Sequence, residues 1–136
     1  LSAQVAVDTL KILGREAPRP QVGAPSYIGK ISRADGELDW TDTAAALDRR
    51  VRAMTPWPGG WIPWDKGPLK VLAAHPTDGD GAPGTVLATA PDLVVACGDG
   101  ALVLDRVRAP GRKAVSGGDF ANGARLAVGA PLSPPE

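Results

Sequence analysis

The sequence predicts a mainly β fold of the α+β class, and three observations support that prediction. First, 17 glycines and 14 prolines in 136 residues favour a turn-rich architecture over a helical bundle. Second, short apolar runs separate these residues, which argues against a disordered chain. Third, apolar spacing changes after residue 60 from a helical period to short runs typical of strands. The length fits one domain with a single modest core.

The first part of the chain is predicted to be a helix followed by a linker. Residues 1–14 place valine and leucine side chains on one helical face, and Gly14 is a suitable stop. Residues 15–25 contain three prolines. Because proline fixes φ and prevents helix continuation, we expect an extended linker there.

A single domain is predicted over residues 26–130, followed by a short tail over residues 131–136. Its first element is a helix from about 42 to 54, for which Thr41 or Asp42 can provide the N-terminal cap. The apolar stripe of this helix follows 3-4-3 spacing and consists of Ala44, Leu47, Val51 and Met54. Pro56 ends the helix.

Five short strands are predicted after residue 60. They cover residues 61–64, 69–74, 85–89, 93–97 and 101–107. Asp99-Gly100 is a hairpin signal between the last two strands. We expect a polar loop over residues 75–83 and one helical turn over 116–121, capped by Ser116. Five strands with one helix inserted near the start predict a small OB-like barrel.

The composition excludes several classes of function. One cysteine, Cys97, and one histidine, His75, provide neither an internal disulfide nor a structural zinc site. Absence of disulfides fits a reducing compartment, and we expect a cytoplasmic protein. No apolar run approaches the ~20 residues that span a bilayer, so no membrane partner is expected. His75 has no apparent orienting residue or nucleophile beside it, and we assign no catalytic, cofactor or metal-binding residue.

Charge is unevenly distributed, although the formal net charge is zero. Residues 71–100 contain no Lys or Arg, whereas residues 101–125 contain five of them against two Asp. A neutral molecule can therefore present a local basic face to an anionic partner. The alternative is that these charges are scattered, solvated side chains.

Five motifs carry a resemblance to a known family. They are Tyr27-Ile28-Gly29-Lys30-Ile31, Asp39-Trp40, the ten residues from Arg52 to Trp61, Pro83 to Leu87 and Ala96 to Leu102. In order and spacing they resemble the C-terminal domain of the methionyl-tRNA formyltransferase family, over about residues 1–130. The resemblance implies an OB-like fold. It also implies that residues 1–14 end a catalytic half that this sequence lacks.

The resemblance implies a function in translation initiation. The domain would hold initiator Met-tRNA while the missing N-terminal catalytic domain formylates its amino group. The parent enzyme would use 10-formyltetrahydrofolate as co-substrate, whereas no cofactor is expected in this fragment. The Asn, His and Asp set of the catalytic half and its Ser-Leu-Leu-Pro segment do not occur here, so we expect a non-catalytic monomeric fragment.

Basic side chains are the candidate RNA contacts, because guanidinium and ammonium groups pair with phosphate oxygens. In decreasing order of interest they are Arg49 and Arg52, Arg112 and Lys113, and Lys30 and Arg33. For the first pair, an ion pair with Asp39, Asp48 or Asp65 is the alternative. For the others, the alternative is a solvated charge.

Aromatic residues allow two interpretations. We interpret Trp57 as packed in a rigid turn between helix and barrel. Trp61 and Trp64 remain open between core packing and stacking of RNA bases.

Two other functions also remain open. One is the C-terminal domain of a related 10-formyltetrahydrofolate-dependent formyltransferase with a non-RNA substrate. The other is a structural scaffold that packs on the catalytic domain, which an exposed apolar surface would favour. A basic face continuous with Arg15 and Arg19 would favour RNA.

Overall fold

A computed structural model describes residues 2–15, 17, 20, 22–65 and 67–132. The helices of this part of the chain are α1 (Ser2–Ile12), α2 (Ala44–Met54) and α3 (Gly117–Ala124), with a 3-10 turn at Ala34–Gly36. The strands are β1 (Gly60–Ile62), β2 (Leu69–Thr77), β3 (Val86–Ala88), β4 (Leu93–Ala96), β5 (Ala101–Arg108) and β6 (Val115–Ser116).

The six strands form one antiparallel sheet in the order β1-β2-β5-β4-β3. β5 is long enough to pair with β4 through its first half and with β6 through Arg106 and Val107. The mainly β prediction is confirmed. Within the described ranges the sheet is not closed, because β1 and β3 form its two ends and do not pair with each other.

Irregular segments cover both ends of the sheet. Along β1, the amide of Leu38 donates to the carbonyl of Trp61 at 2.9 Å. Along β3, the amide of Val86 donates to Ala130 at 2.9 Å. Leu132, which the sequence assigned to the tail, is buried and its amide donates to Gly84 at 2.9 Å. The remaining tail, residues 133–136, lies outside the described residues.

Helix α2 forms because an apolar stripe and a cap coincide. Leu47 and Val51 are buried, and the helix packs chiefly on β2. The cap is Thr43, whose hydroxyl accepts from the amide of Ala46 at 3.2 Å. The prediction of Thr41 or Asp42 as cap was therefore wrong. Thr41 instead donates its hydroxyl to Asp39.

The predicted loop over residues 75–83 was wrong in its first part. β2 continues to Thr77, with Pro76 opposite Leu102. Proline is tolerated here because β1 pairs only with the start of β2, so the other side of Pro76 needs no ladder hydrogen bond. The turn predicted at Asp99-Gly100 is present, and Gly100 has a positive φ of 72°. Ser116 caps α3 as predicted, but the helix extends to Ala124.

Helix α1 and the segment after it lie on the surface. Every side chain of residues 3–13 is exposed, including Val5, Leu10 and Leu13. Tyr27 and Ile28 are also exposed, at 99% and 88%. Part of the predicted linker, residues 16, 18, 19 and 21, lies outside the described residues. The apolar surface on α1 thus has no covering element in the described part of the chain.

Candidate nucleic-acid interface

Two cations face each other across the central strands. Lys70 at the start of β2 is the direct cross-strand neighbour of Arg108 at the end of β5. The loop that follows β5 adds Arg112. These three side chains line a cavity of about 390 Å³, here called the basic groove, together with Pro68, Ala109, Pro110 and Gly111.

A second cavity of about 520 Å³ lies on the other side of the same loop. We call it the aromatic cleft; its wall includes Trp64, Phe120, Asp65, Asp119, Arg112 and Lys113. The indole of Trp64 stands edge-on to the ring of Phe120, with 5.2 Å between ring centroids and 66° between planes. Arg112 and the Ala109-Pro110 pair line both cavities, so the two are contiguous.

The cations of the two cavities have no carboxylate partner. Among the described residues, Lys70, Arg108, Arg112 and Lys113 make no ion pair within 4.0 Å. Like charges directly opposite each other on two strands destabilise a sheet. An anion placed in the groove would relieve this repulsion, and phosphate is the anion that Arg and Lys bind best in proteins.

The arginines of α2 are differently placed. Arg52 holds the carboxylate of Asp48 through Nε and Nη2 at 3.0 to 3.2 Å, and this hydrogen bond raises the pKa of Arg52. Arg50 donates to the carbonyl of Glu37 at 3.0 Å and pairs with Asp42 at 3.5 Å. Arg49 is exposed and makes no ion pair with any described residue. The ion pair considered as an alternative for Arg52 is therefore present.

Carboxylates accumulate beside α2 rather than beside the basic groove. The amide and hydroxyl of Ser32 lower the pKa of Asp35, and those of Thr41 lower the pKa of Asp39. Arg50 lowers both pKa values further through its charge. This side of the domain is consequently a less favourable approach for an RNA backbone than the groove.

The remaining predicted contacts lie before the domain core. Lys30 is exposed in an extended segment. Arg33 is also exposed and precedes the 3-10 turn, where its carbonyl accepts from Nε1 of Trp61 at 2.9 Å. Of the six predicted residues, only Arg112 and Lys113 line the two cavities.

The prediction missed Lys70 and Arg108. They are 38 positions apart on strands that are not consecutive in the chain. The available signal was that each is a cation at the end of a predicted strand. Strand order is needed to bring them together.

The tryptophans have four different environments. Trp40 is buried, and Trp61 and Trp64 are half-buried. Trp57 is 66% exposed, so its interpretation as a packed turn residue was wrong. The adjoining Pro58 and Gly59 are buried instead, which means that the backbone of this turn packs while its indole does not.

No catalytic arrangement emerges around His75 or Cys97. His75 does have an orienting carboxylate, contrary to the prediction: its Nδ1 lies 2.9 Å from Oδ2 of Asp105. Both side chains are exposed. Cys97 is buried, and burial raises its pKa to about 11, which keeps the thiol protonated. Among the described residues, no three His, Cys, Asp or Glu side chains are grouped as a metal site requires.

The helices in the described part of the chain are all too short or too polar to traverse a bilayer.

An open antiparallel sheet with one helix packed across its central strands, and a basic groove at the β2–β5 end, defines an α+β domain of the formyltransferase C-terminal class. Residues 30–125 match the family described as "Formyl transferase, C-terminal domain". The chain belongs to this family.

Among its relatives are methionyl-tRNA formyltransferases from several bacteria. That of Granulibacter bethesdensis is 52% identical over 108 residues, which are 78% of this chain and 34% of the relative. That of Gluconacetobacter diazotrophicus is 45% identical over 117 residues, 85% of this chain and 37% of the relative. That of Burkholderia pseudomallei is 41% identical over 140 residues, 97% and 42%. The resemblance read from the motifs is confirmed, and the chain spans less than half the length of these relatives.

A solved structure shares the fold. HypX from Aquifex aeolicus in complex with tetrahydrofolic acid matches with a TM-score of 0.61 at 19% identity, covering 98% of this chain and 25% of HypX.

Proposed function

We propose that this chain is the tRNA-holding domain of a methionyl-tRNA formyltransferase. In that proposal it positions initiator Met-tRNA for N-formylation by an N-terminal catalytic domain that uses 10-formyltetrahydrofolate. The protein would act at translation initiation in the bacterial cytoplasm. The observation that carries the proposal is the pair Lys70 and Arg108, two cations opposed across the sheet with no carboxylate partner in the described chain.

The geometry of the basic groove supports a backbone contact. Lys70 and Arg108 flank one register position, and Arg112 extends the positive charge beyond the end of β5. Contacts to phosphate fix the position and orientation of a nucleic acid without reading its sequence. Such a contact suits a domain that delivers one end of a tRNA to a distant catalytic centre. We also assign the open sheet to the partly open OB class, whose members bind oligonucleotides.

The exposed apolar surface of α1 supports a second contact within the longer protein. Leu10 and Leu13 are 69% and 72% exposed. Apolar patches of this kind mark interaction sites. We infer that α1 packs against the catalytic domain that the longer relatives possess. A scaffold that binds no RNA would account for this surface, but not for the unpaired cations at the groove.

The test is a titration of the 136-residue chain with labelled initiator tRNA at about 50 and 200 mM salt, a range that exposes counterion release. Two double variants are matched in lost charge: Lys70→Gln with Arg108→Gln, and Arg49→Gln with Arg52→Gln. We expect salt-sensitive binding that the first double variant weakens more. Its salt dependence should also fall by roughly 0.7–0.9 log units per lost phosphate contact.

Absence of binding at low salt would contradict the proposal. It would favour either a scaffold or a related formyltransferase whose substrate is not RNA. A larger loss in the Arg49 and Arg52 double variant would keep tRNA binding but place the contact on α2.

A further inference from the structure

We propose that the aromatic cleft binds one unpaired nucleotide of the RNA, with its base stacked on Trp64 and its phosphate paired with Arg112 or Lys113. This inference rests on the proposed function, because the basic groove beside the cleft would hold the neighbouring backbone. The cleft adds what the groove lacks: an aromatic surface and carboxylates that can accept hydrogen bonds from a base.

The position of Trp64 is fixed from behind. Its indole packs edge-on against Phe120 and touches the hydrophobic core, while the side chain remains half-buried and lines the cavity. A rigid indole loses little conformational freedom when a base stacks on it. Trp57 differs in that it is 66% exposed and lines neither cavity beside this loop.

The cleft volume suits a small, planar ligand. About 520 Å³ lies within the usual range for sites that hold one small organic molecule. A base inside a continuous duplex cannot enter, because both its faces are already stacked and its edge is paired. A bulged or looped-out nucleotide can enter without breaking any pair.

The charges in the cleft orient the nucleotide. Arg112 and Lys113 come from the loop that separates the cleft from the groove, so the phosphate belongs on that side. Asp65 and Asp119 are also in the wall, and neither makes an ion pair with a described residue. A carboxylate accepts hydrogen bonds only, and guanine presents adjacent N1–H and N2–H donors on one edge. The cleft should therefore prefer guanine to uracil, which has a single donor on that edge.

The experiment compares three short RNA duplexes that differ at one point: a single bulged guanosine, a single bulged uridine, and no bulge. Dissociation constants are measured with the 136-residue chain at one low salt concentration. We expect tighter binding of the guanosine bulge than of the paired duplex, by about 5- to 150-fold, the range for stacking one base on an aromatic side chain.

Variants separate the cleft from the groove. Trp64→Leu should abolish the advantage of the bulge and leave the affinity for the paired duplex unchanged, whereas Trp64→Phe should retain part of it. Trp57→Leu is the matched control and should change nothing. Asp119→Asn should reduce the preference for guanosine over uridine, while its amide still receives the Ser116 cap bond at 3.1 Å.

The outcomes are distinguishable from those of the proposed function. Equal, salt-sensitive binding of bulged and paired RNA would overturn this inference and leave the tRNA-holding function intact. Binding of none of the three RNAs, and of no tRNA, would overturn both. Should Trp64→Leu fail to fold, the Trp64→Phe and Asp119→Asn variants decide: if neither reduces the advantage of the guanosine bulge, the inference is wrong.

Discussion

Lys70 and Arg108 are direct neighbours across β2 and β5, and each brings a positive charge to the same position of the sheet. A pair of like charges in register costs stability, typically by a few tenths to about 1 kcal/mol. The fold therefore carries a local strain that an anionic ligand would remove. Sites that bind ligands often retain such unfavourable charges at the expense of stability.

Replacing Arg108 with Gln should consequently stabilise the free domain while weakening its affinity for RNA. We expect a gain of a few tenths to about 1 kcal/mol in the free energy of unfolding, because one repulsion disappears. Urea unfolding at low salt measures it. Lys113→Gln is the control, since no cation lies in register with Lys113 in the strand pairing of the described chain. A loss of stability in Arg108→Gln would show that the repulsion is already screened.

Replacing Gly98 with Ala should destabilise the domain by about 1–3 kcal/mol. A Cβ at this position would overlap the carbonyl of Thr41. The two segments cannot move apart freely, because the amide of Gly98 donates to Asp42 and that of Ala44 donates to Asp99, both at 2.9 Å. Gly123→Ala is the matched control: no atom lies within 4 Å of its Cβ position in α3, and alanine favours a helix by up to about 1 kcal/mol. Equal urea midpoints for the two variants would contradict this account.

Replacing Thr43 with Ala should cost about 1 kcal/mol, with a range of 0.5–2, since it removes the cap of α2. Thr43→Ser keeps the hydroxyl that accepts from Ala46 and should remain close to the parent. Thermal unfolding of the three proteins measures the effect. If Thr43→Ala and Thr43→Ser lose the same stability, the methyl group of Thr43 matters rather than its cap.

The buried thiol of Cys97 should make the domain less stable in alkali. Burial raises its pKa from 9.0 to about 11 in the folded state. A raised pKa means that its contribution is fully present below pH 9 and is lost as pH rises toward 11, because the unfolded chain releases the proton first. Urea midpoints measured from pH 8 to 11 should fall more steeply for the parent than for Cys97→Ala. Parallel curves would mean that the thiol ionises equally in both states.

The elements that the sequence predicted well are those with local causes. The apolar stripe of α2, the cap at Ser116 and the turn at Gly100 each depend on a few adjacent residues. The cap of α2 was misplaced by one or two positions, because Thr41, Asp42 and Thr43 are all good caps. Only the tertiary contact between Asp42 and Gly98 decides among them.

The site was predicted only in part, for a topological reason. Arg112 and Lys113 could be chosen because they lie in one loop. Lys70 and Arg108 meet only because β2 pairs with β5 rather than with β3, which no local pattern reveals. Arg52 was chosen for its spacing from Arg49, but an ion pair at i, i+4 with Asp48 occupies it.

The covered ends of the sheet bear on how this domain behaves in a crowded cell. An uncovered edge strand offers its amides and carbonyls as a template for a strand of another chain, which leads to aggregation. Here the amide of Val86 is taken by Ala130, and its carbonyl by the amide of Gly129 at 2.8 Å. The last folded residues are thus a protective strap, and a version of the chain cut before Gly129 would keep all six strands yet expose β3 as an adhesive edge.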